Sequence, residues 1–526
     1  MSSVVAIPKL TIETDRKPLA VEDARALAEM RVHQSLSRPT LCELTFHEPG
    51  GPLAGEAAAT LPGAALQIRV EGFSEPLFAG EVTAVNFEYG PSRERLVRVR
   101  GYDRLHRLRK RQPVGAHVQL TLKELAEALV ADLGLSVEAA DPGPLRQNII
   151  QYNQSDLELL TAAAQRCGLY FTLRDSMLHL ITLEGVGPPI ALSLGSSLLE
   201  ARIEVNSDRI CRTVETTGWD PQRVEPVEGR ADRARVGRRV ALQLEPEQVG
   251  GSGQRTIVDA AVQDDSQAEG IAQAELDRRT ARDVVLRAVA EGDPRLQPGT
   301  PVEIGGVAES LAGRYVPTTV RHVLNHDRGY ICEIDTSPPQ PGPQLRTGSA
   351  ASTLGVVSQV DDPEQMGRIR IVLPNYGGVE TSWLQVAVPA AGPGKGLVAL
   401  PDVDDQVLVL LLSGDPDQAI VLGGLYGTGG PPDAGIEDGA VRRYTFTTPG
   451  AQRIVLDDEN ETIRVENSHG DFILLAPDEV RLGDSQGSLI ELTPGKCRIQ
   501  AAADLEIAAP GKKVTIGGQA IDFKRT

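Results

Sequence analysis

Two short groups of residues have the types that could perform hydrolytic or metal chemistry. His47 and Glu48 are adjacent, as at the start of the H-E-x-x-H helix of zinc proteases, but Gly51 occupies the place of the second histidine. Asp402, Asp404 and Asp405 could share a cation, although this spacing is more typical of a turn between two strands. The sequence therefore predicts no catalytic residue, no metal ligand and no cofactor.

The cysteines do not form a recognisable chemical motif. There are five of them, an odd number, and none has C-x-x-C spacing, which argues against both a disulfide framework and a zinc site. Scattered thiols of this kind are typical of proteins that assemble in a reducing cytoplasm. They are Cys42, Cys167, Cys211, Cys332 and Cys497.

The most regular pattern lies in the tail, residues 453–523, where an apolar, a polar and an apolar residue recur and are followed by a turn. Successive apolar pairs lie about 8 residues apart, with Gly, Asp, Asn or Pro in most gaps. Alternation places each pair on one face of a short strand. The predicted inward positions are Ile454, Leu456, Ile463, Val465, Ile473, Leu475, Val480, Leu482, Ile490, Leu492, Cys497, Ile499, Leu505, Ile507, Val514, Ile516, Ile521 and Phe523.

Two inward residues per strand are too few to fill the core of a single chain. We interpret the tail as one wall of a triangular prism built from three intertwined chains, so that its stability depends on association. A small monomeric β-domain is the alternative. Cys497 would then lie near the prism axis, where a small hydrophobic side chain is more typical than a metal or redox role.

Composition and charge narrow the possible partners. The chain has 526 residues, which predicts several domains, and its 53 glycines and 36 prolines favour turn-rich β structure. A net charge of −19 disfavours nucleic acid and anionic membranes as partners. A local basic cluster could bind phosphates, but a solvated strand face is the more common interpretation. Its members are Arg93, Arg95, Arg98, Arg100, Arg104, Arg107, Arg109, Lys110 and Arg111.

The first third of the chain combines β structure with one α/β segment. Residues 1–112 alternate as strands, except that Val21–Met30 has helical character. Residues 115–185 switch to a mixed α/β pattern, in which Thr121–Glu124 and Ser155–Glu158 are capping boxes that each begin a helix.

The rest of the chain before the tail returns to strands. Residues 190–340 contain several, with a helix near 266–282 and a polar stretch at 222–256 that we expect to be an exposed excursion. Residues 337–353 have the prolines and glycines of a linker. Five or so strands in 354–427, separated by glycine-rich turns, predict a small closed barrel of the oligonucleotide/oligosaccharide-binding (OB) type.

No secretory signal is visible at the N-terminus, because a basic segment followed by a long apolar one is missing. The longest apolar run, Val407–Leu412, is far shorter than a membrane span. We therefore expect assembly in the cytoplasm without stable membrane anchoring, and a route other than general secretion if the protein leaves the cell.

Three segments carry a family resemblance. The order Gly355-Val356-Val357, Asp361-Asp362-Pro363, Gly367–Ile371, Ser382-Trp383-Leu384 and Gln406–Val409, followed by 414–426, resembles VgrG-type spike proteins of contractile phage-tail-like injection systems. Residues 152–160 with Gly168–Phe171 resemble the hub segment of that family, and Ile516–Phe523 is similar to the spike ends of extracellular injection particles. One departure is Asp404, where the family's barrel usually has glycine.

The resemblance implies a mainly β fold in five parts. These are a hub β-barrel subdomain at 1–114, an α/β hub subdomain at 115–188, a second hub barrel subdomain at 189–345, an OB-fold at 354–427 and a trimeric β-helix needle at 440–526. It implies a homotrimer that adapts a six-fold inner tube to a three-fold needle. The implied partners are the inner-tube ring, baseplate proteins, a separate PAAR-like tip protein and effector cargo, in a particle that acts outside the cell.

Two functions of other classes remain open from the sequence. A spike-borne peptidoglycan hydrolase would need an inserted domain, but only about ten residues separate the OB-fold from the tail, and the sequence continues only to Thr526. A glycan-binding baseplate module would use the aromatic residues Tyr376, Trp383 and Tyr426 of the small barrel.

Overall fold

A computed structural model describes residues 7–525 except 56, 57, 59, 92, 93, 209, 221–224, 259–261, 263, 341–350, 413–415 and 417. Arg93, most of the expected linker at 337–353 and most of the turn at 414–417 lie outside the described residues. The chain divides into two compact units, Met1–Leu425 and Tyr426–Thr526. None of the helices in the described ranges has the length and apolar character that crossing a lipid bilayer requires.

Among its described residues, the first unit contains four α-helices, α1 (Val21–Arg25), α2 (Leu122–Val130), α3 (Asp156–Arg166) and α4 (Asp265–Thr280). Its first strands are β1 (Leu10–Thr14), β2 (Lys17–Pro18), β3 (Leu27–Ser35), β4 (Leu41–His47), β5 (Ala65–Val70), β6 (Phe78–Tyr89), β7 (Arg95–Tyr102), β8 (Gly115–Leu120), β9 (Ser136–Ala139), β10 (Arg146–Gln151), β11 (Tyr170–Arg174), β12 (Met177–Ile181), β13 (Ile190–Ser193), β14 (Leu198–Val205), β15 (Thr213–Asp220) and β16 (Glu225–Ala231). The remaining strands of this unit are β17 (Arg239–Val240), β18 (Gln254–Ile257), β19 (Val284–Glu291), β20 (Val302–Gly305), β21 (Gly313–Tyr315), β22 (Thr319–Asn325), β23 (Gly329–Asp335), β24 (Ala351–Gln359), β25 (Arg370–Leu373), β26 (Val379–Glu380), β27 (Gln385–Val386), β28 (Ala391–Gly392), β29 (Lys395–Gly396), β30 (Gln406–Leu411) and β31 (Ala419–Gly424).

One continuous antiparallel sheet dominates the first unit. Its eleven strands follow the order β14-β19-β23-β22-β3-β4-β7-β6-β5-β1-β2, so that strands from 10–102 and from 198–335 share one ladder. Two hydrophobic cores lie against it, one containing Met30 and Phe46 and the other containing Leu286 and Tyr315, all at most 1% exposed. The mainly β fold class is confirmed.

Two expectations for the first unit were wrong. The helix expected over Val21–Met30 ends at Arg25, because Met30 and Val32 alternate into the first core as part of β3. The polar stretch at 222–256 is not a loose excursion, since β16 and β18 flank β15 in a three-stranded sheet. This sheet covers α4 and buries Val227 and Ala231, whose isolated apolar positions are too few to reveal a strand by periodicity.

The α/β segment forms as its caps predict. Thr121 and Ser155 each accept a hydrogen bond from the backbone N–H of the glutamate three residues later, which in turn accepts from the N–H of its cap residue. Leu125, Leu160 and Phe171 lie at the centre of its core, all fully buried. Arg235 connects this segment to the second part of the hub, because it contacts Asp141, the carbonyl of Cys167 and Asp277 of α4.

Strands β24–β27, β30 and β31 form the small barrel, in the order β26-β25-β24-β30-β31-β27. Ile371, Val407, Val409 and Leu411 fill its core at 0% exposure. A buried ion pair between Arg368 and Asp362 fixes the loop before β25, and Asp362 also accepts backbone N–H bonds from that loop. The D-D-P and G-R-I segments of the sequence are therefore structural.

The second unit is built from hairpins. Its strands are β32 (Ile436–Glu437), β33 (Ala440–Val441), β34 (Arg443–Thr447), β35 (Arg453–Asp457), β36 (Thr462–Glu466), β37 (Phe472–Ala476), β38 (Glu479–Gly483), β39 (Leu489–Thr493) and β40 (Lys496–Gln500). Strands β34 to β40 form one seven-stranded antiparallel meander in sequence order. Residues 501–525, all of which the structure describes, contain no strand. The strands expected at Leu505, Val514 and Ile521 are thus not formed within one chain.

Candidate functional site: the open apolar face of the C-terminal sheet

The candidate site is the apolar face of β34–β40, which we call the shaft face. The meander register places its residues in two columns of directly opposed neighbours. One column is Phe446, Ile454, Val465, Ile473, Leu482, Ile490 and Ile499, and the other is Tyr444, Leu456, Ile463, Leu475, Val480, Leu492 and Cys497. With neighbouring strands about 4.8 Å apart, the two columns extend for roughly 29 Å.

The shaft face is exposed although it is almost entirely apolar. Its aliphatic side chains are between 38% exposed, at Val480, and 56% exposed, at Ile499. Monomeric proteins rarely leave such a continuous apolar patch in water. The single chain therefore lacks whatever covers this face.

The opposite face of the same sheet carries charged side chains that pair with one another, together with Val455, Leu474 and Leu489. Arg481 forms ion pairs with Glu479 at 2.7 Å and with Glu491 at 3.5 Å. Arg464 pairs with Glu466 at 2.7 Å and its guanidinium carbon lies 4.4 Å from the centre of the Phe472 ring. Polar residues cover one another on the outside, whereas the apolar residues have no second layer.

Local sequence explains why the meander forms. Proline-glycine or proline-aspartate pairs make tight turns at Pro477-Asp478 and Pro494-Gly495. On the other edge the turns are longer, and Asn467 and Asp484 each accept two backbone N–H bonds from their own turns. These turns fix the register that keeps all apolar residues on one side.

Twelve of the eighteen predicted inward positions lie on the shaft face. The remaining six lie beyond β40 on residues without in-chain strand partners, and they are strongly exposed, up to 89% at Phe523. The sequence interpretation missed Tyr444 and Phe446, which extend the face by one strand. Their alternation within Arg443–Thr447 was the available signal.

The residues considered for hydrolysis or metal binding are engaged in ordinary structure. His47 ends strand β4, and Glu48 accepts a hydrogen bond from the N–H of Arg95. Asp405 accepts from the N–H of Asp402 within a tight turn. Within the described ranges there is no cluster of three or more His, Cys, Asp or Glu side chains that could hold a metal ion.

One pattern that sequence reasoning overlooked is Gly483-Asp484-Ser485-Gln486-Gly487, which fits G-x-S-x-G. In hydrolases this motif occupies a turn from a strand to a helix. Here it occupies the hairpin turn between β38 and β39, and the N–H of Ser485 donates to Asp471 of the neighbouring turn. The motif is therefore a turn-stacking element of the shaft.

Four members of the basic cluster, Arg98, Arg100, Arg107 and Arg111, are paired with carboxylates. Arg98 pairs with Glu88 at 2.8 Å and Arg100 with Glu43 at 3.1 Å across neighbouring strands of the large sheet. The Arg107 guanidinium hydrogen-bonds Glu81, and this holds the pKa of the Glu81 carboxyl down at about 2. Cross-strand pairing of this kind stabilises a solvated sheet face.

The aromatic residues that a glycan site would need are also occupied. The rings of Tyr376 and Tyr152 meet edge to face with centroids 4.8 Å apart. The Arg370 guanidinium carbon lies 5.0 Å from the centre of the Trp383 ring. Only Tyr426 of the three is largely exposed, at 73%.

Comparison with known proteins agrees with this geometry. Residues 353–426 match the type VI secretion system/phage-baseplate injector OB domain, and residues 11–326 match the Alg8 N-terminal domain. The type VI secretion system spike protein VgrG2a of Pseudomonas aeruginosa is 26% identical over 181 residues, which is 29% of this chain and 22% of that protein. The actin cross-linking toxin VgrG1 of Vibrio cholerae is 34% identical over 100 residues, 18% of this chain and 9% of that protein. The chain thus spans less than a quarter of the length of either relative.

Two solved structures share the fold at low sequence identity. The Francisella PdpA-VgrG complex aligns over 95% of this chain and 81% of the solved chain, with a TM-score of 0.53 and 10% identity. The Escherichia coli c3393 protein, described as a type VI secretion component similar to phage T4 gp27 and gp5, aligns over 80% of this chain and 100% of its own, with a TM-score of 0.51 and 14% identity.

Together, the half-barrel sheet, the OB barrel and the open shaft face define a VgrG-like spike protein. The Alg8 N-terminal domain model covers more than half of the chain. The chain belongs to the family of that domain.

Proposed function

We propose that this protein is the structural hub and spike of a contractile injection machine and that it acts as a homotrimer. The observation that carries the proposal is that the apolar face of the seven-stranded sheet is open to solvent, while charged side chains on its other face form ion pairs with one another. Three copies arranged about one axis would bury three such faces against one another and leave the charged faces outside. Burial of aliphatic side chains that are about half exposed would stabilise each chain strongly, by roughly 25 cal/mol per Å².

The segment after β40 provides a further reason to propose strand pairing between chains. Residues 501–525 continue the apolar repeat but have no in-chain ladder, so strand pairing of this segment would have to come from other chains. We propose that this segment is intertwined among the three chains, with Ile521 and Phe523 among its apolar residues. A PAAR-like tip protein would cover it.

The hub would connect the needle to the tube. The two cores on the eleven-stranded sheet give two related half-barrels per chain, hence six in a trimer, which suits a six-fold inner-tube ring on one side and a three-fold needle on the other. Baseplate proteins and effector cargo are further proposed partners, and one fold relative was solved in complex with a protein named PdpA. In this proposal the trimer assembles in the cytoplasm and acts outside the cell as part of a particle.

The native mass of the full chain tests the proposal. Light scattering should give about three times the chain mass of 56.2 kDa, and electron microscopy should show a tapering rod at one end of the particle. A compact 56.2 kDa monomer with a protected C-terminal sheet would contradict it. A zymogram on peptidoglycan should remain blank, and a cleared band would favour the hydrolase alternative instead.

A further inference from the structure

The OB barrel carries two unpartnered apolar features. The first is an arm, residues 389–403, that leaves the barrel after β27 and returns before β30. Every residue from 391 to 400 is exposed, including Leu397 at 50% and Val398 at 79%. Its only ladder is the pairing of β28 with β29, which comprises two residues on each strand. A hairpin this short has little stability of its own in water.

The second feature is the outer face of the barrel sheet, on the side opposite its core. Strands β24, β30 and β31 carry two apolar residues each on this face beside Ser352, Ser358 and Gln406, whereas a solvated antiparallel sheet face is mostly polar. We call this set the OB outer face, and it consists of Leu354, Val356, Leu408, Leu410, Ile420 and Leu422. Leu354 lies opposite Leu408, and Leu410 lies opposite Ile420, so the residues form one patch. Leu354 is 36% exposed and Leu422 is 43% exposed.

The arm begins beside β31, since β27 pairs with β31 and the N–H of Ala387 donates to the carbonyl of Val421, yet residues 391–400 all remain exposed. Leu400 lies by the loop before β25, 3.8 Å from where a Cβ on Gly367 would stand, and the N–H of Leu397 bonds to the carbonyl of Ala390 inside the arm. The chain therefore offers one apolar projection and one apolar receptor that it does not join itself. If each chain lays its arm on the next chain, three copies close a ring in which every arm and every face is used once.

We propose that the arm of each protomer packs its Leu397 and Val398 on the OB outer face of the neighbouring protomer. This proposal rests on the trimer proposed above, and it adds a second, heterologous interface at the level of the barrel. It also explains why the run Gln406–Leu411 has no polar alternation, since both faces of β30 would be buried in the assembly.

A disulfide between the two features tests the proposal in the full chain. The variant carries Val398→Cys and Leu422→Cys on a Cys497→Ala background, because Cys497 is the exposed native thiol of the described residues. After mild oxidation, a denaturing gel should show covalent dimers and trimers, and chains carrying two different tags should cross-link to each other. The matched control pairs Val398→Cys with Glu380→Cys, which is exposed on β26, two strands away from β24, and should give no ladder.

The native mass before oxidation separates the two proposals. A trimer that forms only intrachain disulfides, or none, overturns the arm proposal and leaves the trimer intact. An equal yield of covalent dimers and trimers in the control pair also overturns the arm proposal. A monomer overturns both proposals. In a second variant, Leu397→Ser with Val398→Ser, the concentration at half dissociation should rise by at least about tenfold, since two apolar side chains lose their burial. An unchanged midpoint would count against the arm.

Discussion

The eleven-stranded sheet of the first unit and the seven-stranded sheet of the second unit are both antiparallel and both alternate, yet they manage their apolar faces differently. The large sheet covers its apolar side with its own chain, so that Met30, Val32 and Phe46 are completely buried. On the shaft face every aliphatic side chain is at least 38% exposed. The difference lies in the connections between the strands.

In the first unit, long connections return over the sheet. The segment from β4 to β5 and the turn after β19 supply Leu53 and Leu296 to the cores, both nearly fully buried. In the shaft the connections between strands are turns of two to five residues, which can only lead to the next strand. A meander without returning segments has no second layer of its own, and in the proposed trimer the other chains supply that layer. Stability of the large sheet should thus be a property of one chain, and stability of the shaft a property of the assembly.

A charge on the shaft face should have the largest effect on this contrast. In Leu492→Asp, three carboxylates would be buried near one axis, and an unpaired buried charge costs several kcal/mol or more. We expect loss of the trimer, measured as a fall in native mass by light scattering, with a folded hub. The matched control is Thr493→Asp on the same strand, which points to the polar face opposite Lys496 and should remain trimeric. Equal effects of the two substitutions would remove the distinction between the faces.

Shortening a buried side chain in the first hydrophobic core should have a smaller effect, on the stability of the first unit and not on association. Phe46 is fully buried in the first core, and Phe46→Ala should lower the free energy of unfolding of the hub by about 3–5 kcal/mol. Because this core is made within one chain, the hub transition in calorimetry should not depend on protein concentration, whereas the shaft transition should. A hub transition that moves with concentration in both wild type and variant would show that the hub also needs association.

How much of this contrast could be read from the sequence depends on which residues carry it. The alternation and turn chemistry of Ile454 to Ile499 are local, so six strands and the residues that share their apolar face were predictable. The two capping boxes were predictable for the same reason. The extent of the large sheet was not, because the pairing of β3 with β22 joins residues nearly 300 positions apart.

Other features escaped because their signal is weak or not local. Strand β16 is polar except at Val227 and Ala231, so only its packing on α4 reveals it. The strands expected after Gln500 have the right alternation but no partner in the chain, since pairing is not encoded by periodicity. The openness of the shaft face was inferred from the small number of apolar residues per strand. The alignment of the apolar residues in two columns could be seen only in the structure.

Lowering the pH should reduce the folding stability of the first unit through a buried histidine. His322 is fully buried, with one ring nitrogen 3.0 Å from the Tyr330 hydroxyl and 3.2 Å from Cys332 Sγ and the other 3.0 Å from the carbonyl of Leu296. Burial lowers the pKa of His322 to about 4, although the nearby Asp293 opposes this shift. The neutral ring is therefore the native form, and its stabilisation is complete at neutral pH. It is lost as pH falls from about 6.5 to about 4, by roughly 3 kcal/mol.

Two buried carboxyls titrate in the opposite sense and must be separated from this effect. Burial raises the pKa of Asp103 and of Asp283 to about 6 each, so their protonation favours the folded state as pH falls through that value. The informative quantity is the difference between wild type and His322→Gln in urea unfolding of the hub from pH 7.5 to 4.5. The wild type should lose more stability than the variant over this range. Parallel curves would mean that His322 does not titrate on unfolding.

The smallest expected effect is at Asp404, a non-glycine residue in a turn of the OB barrel. Asp404 has a φ of 71°, in the left-handed region that glycine adopts without strain, and its N–H donates to the carbonyl of Val357. Asp404→Gly keeps this backbone bond and removes the strain, so the OB barrel should gain about 0.5–1 kcal/mol in thermal unfolding. Asp402→Gly, at a position without positive φ, should instead lose stability, because glycine there loosens the unfolded chain and removes the carboxylate that accepts the N–H of Val403. The native mass should not change in either variant, since this turn lies within the closed barrel. A loss of trimer on relaxing the turn would mean that the barrel's own geometry is shaped by its neighbours, as the shaft is.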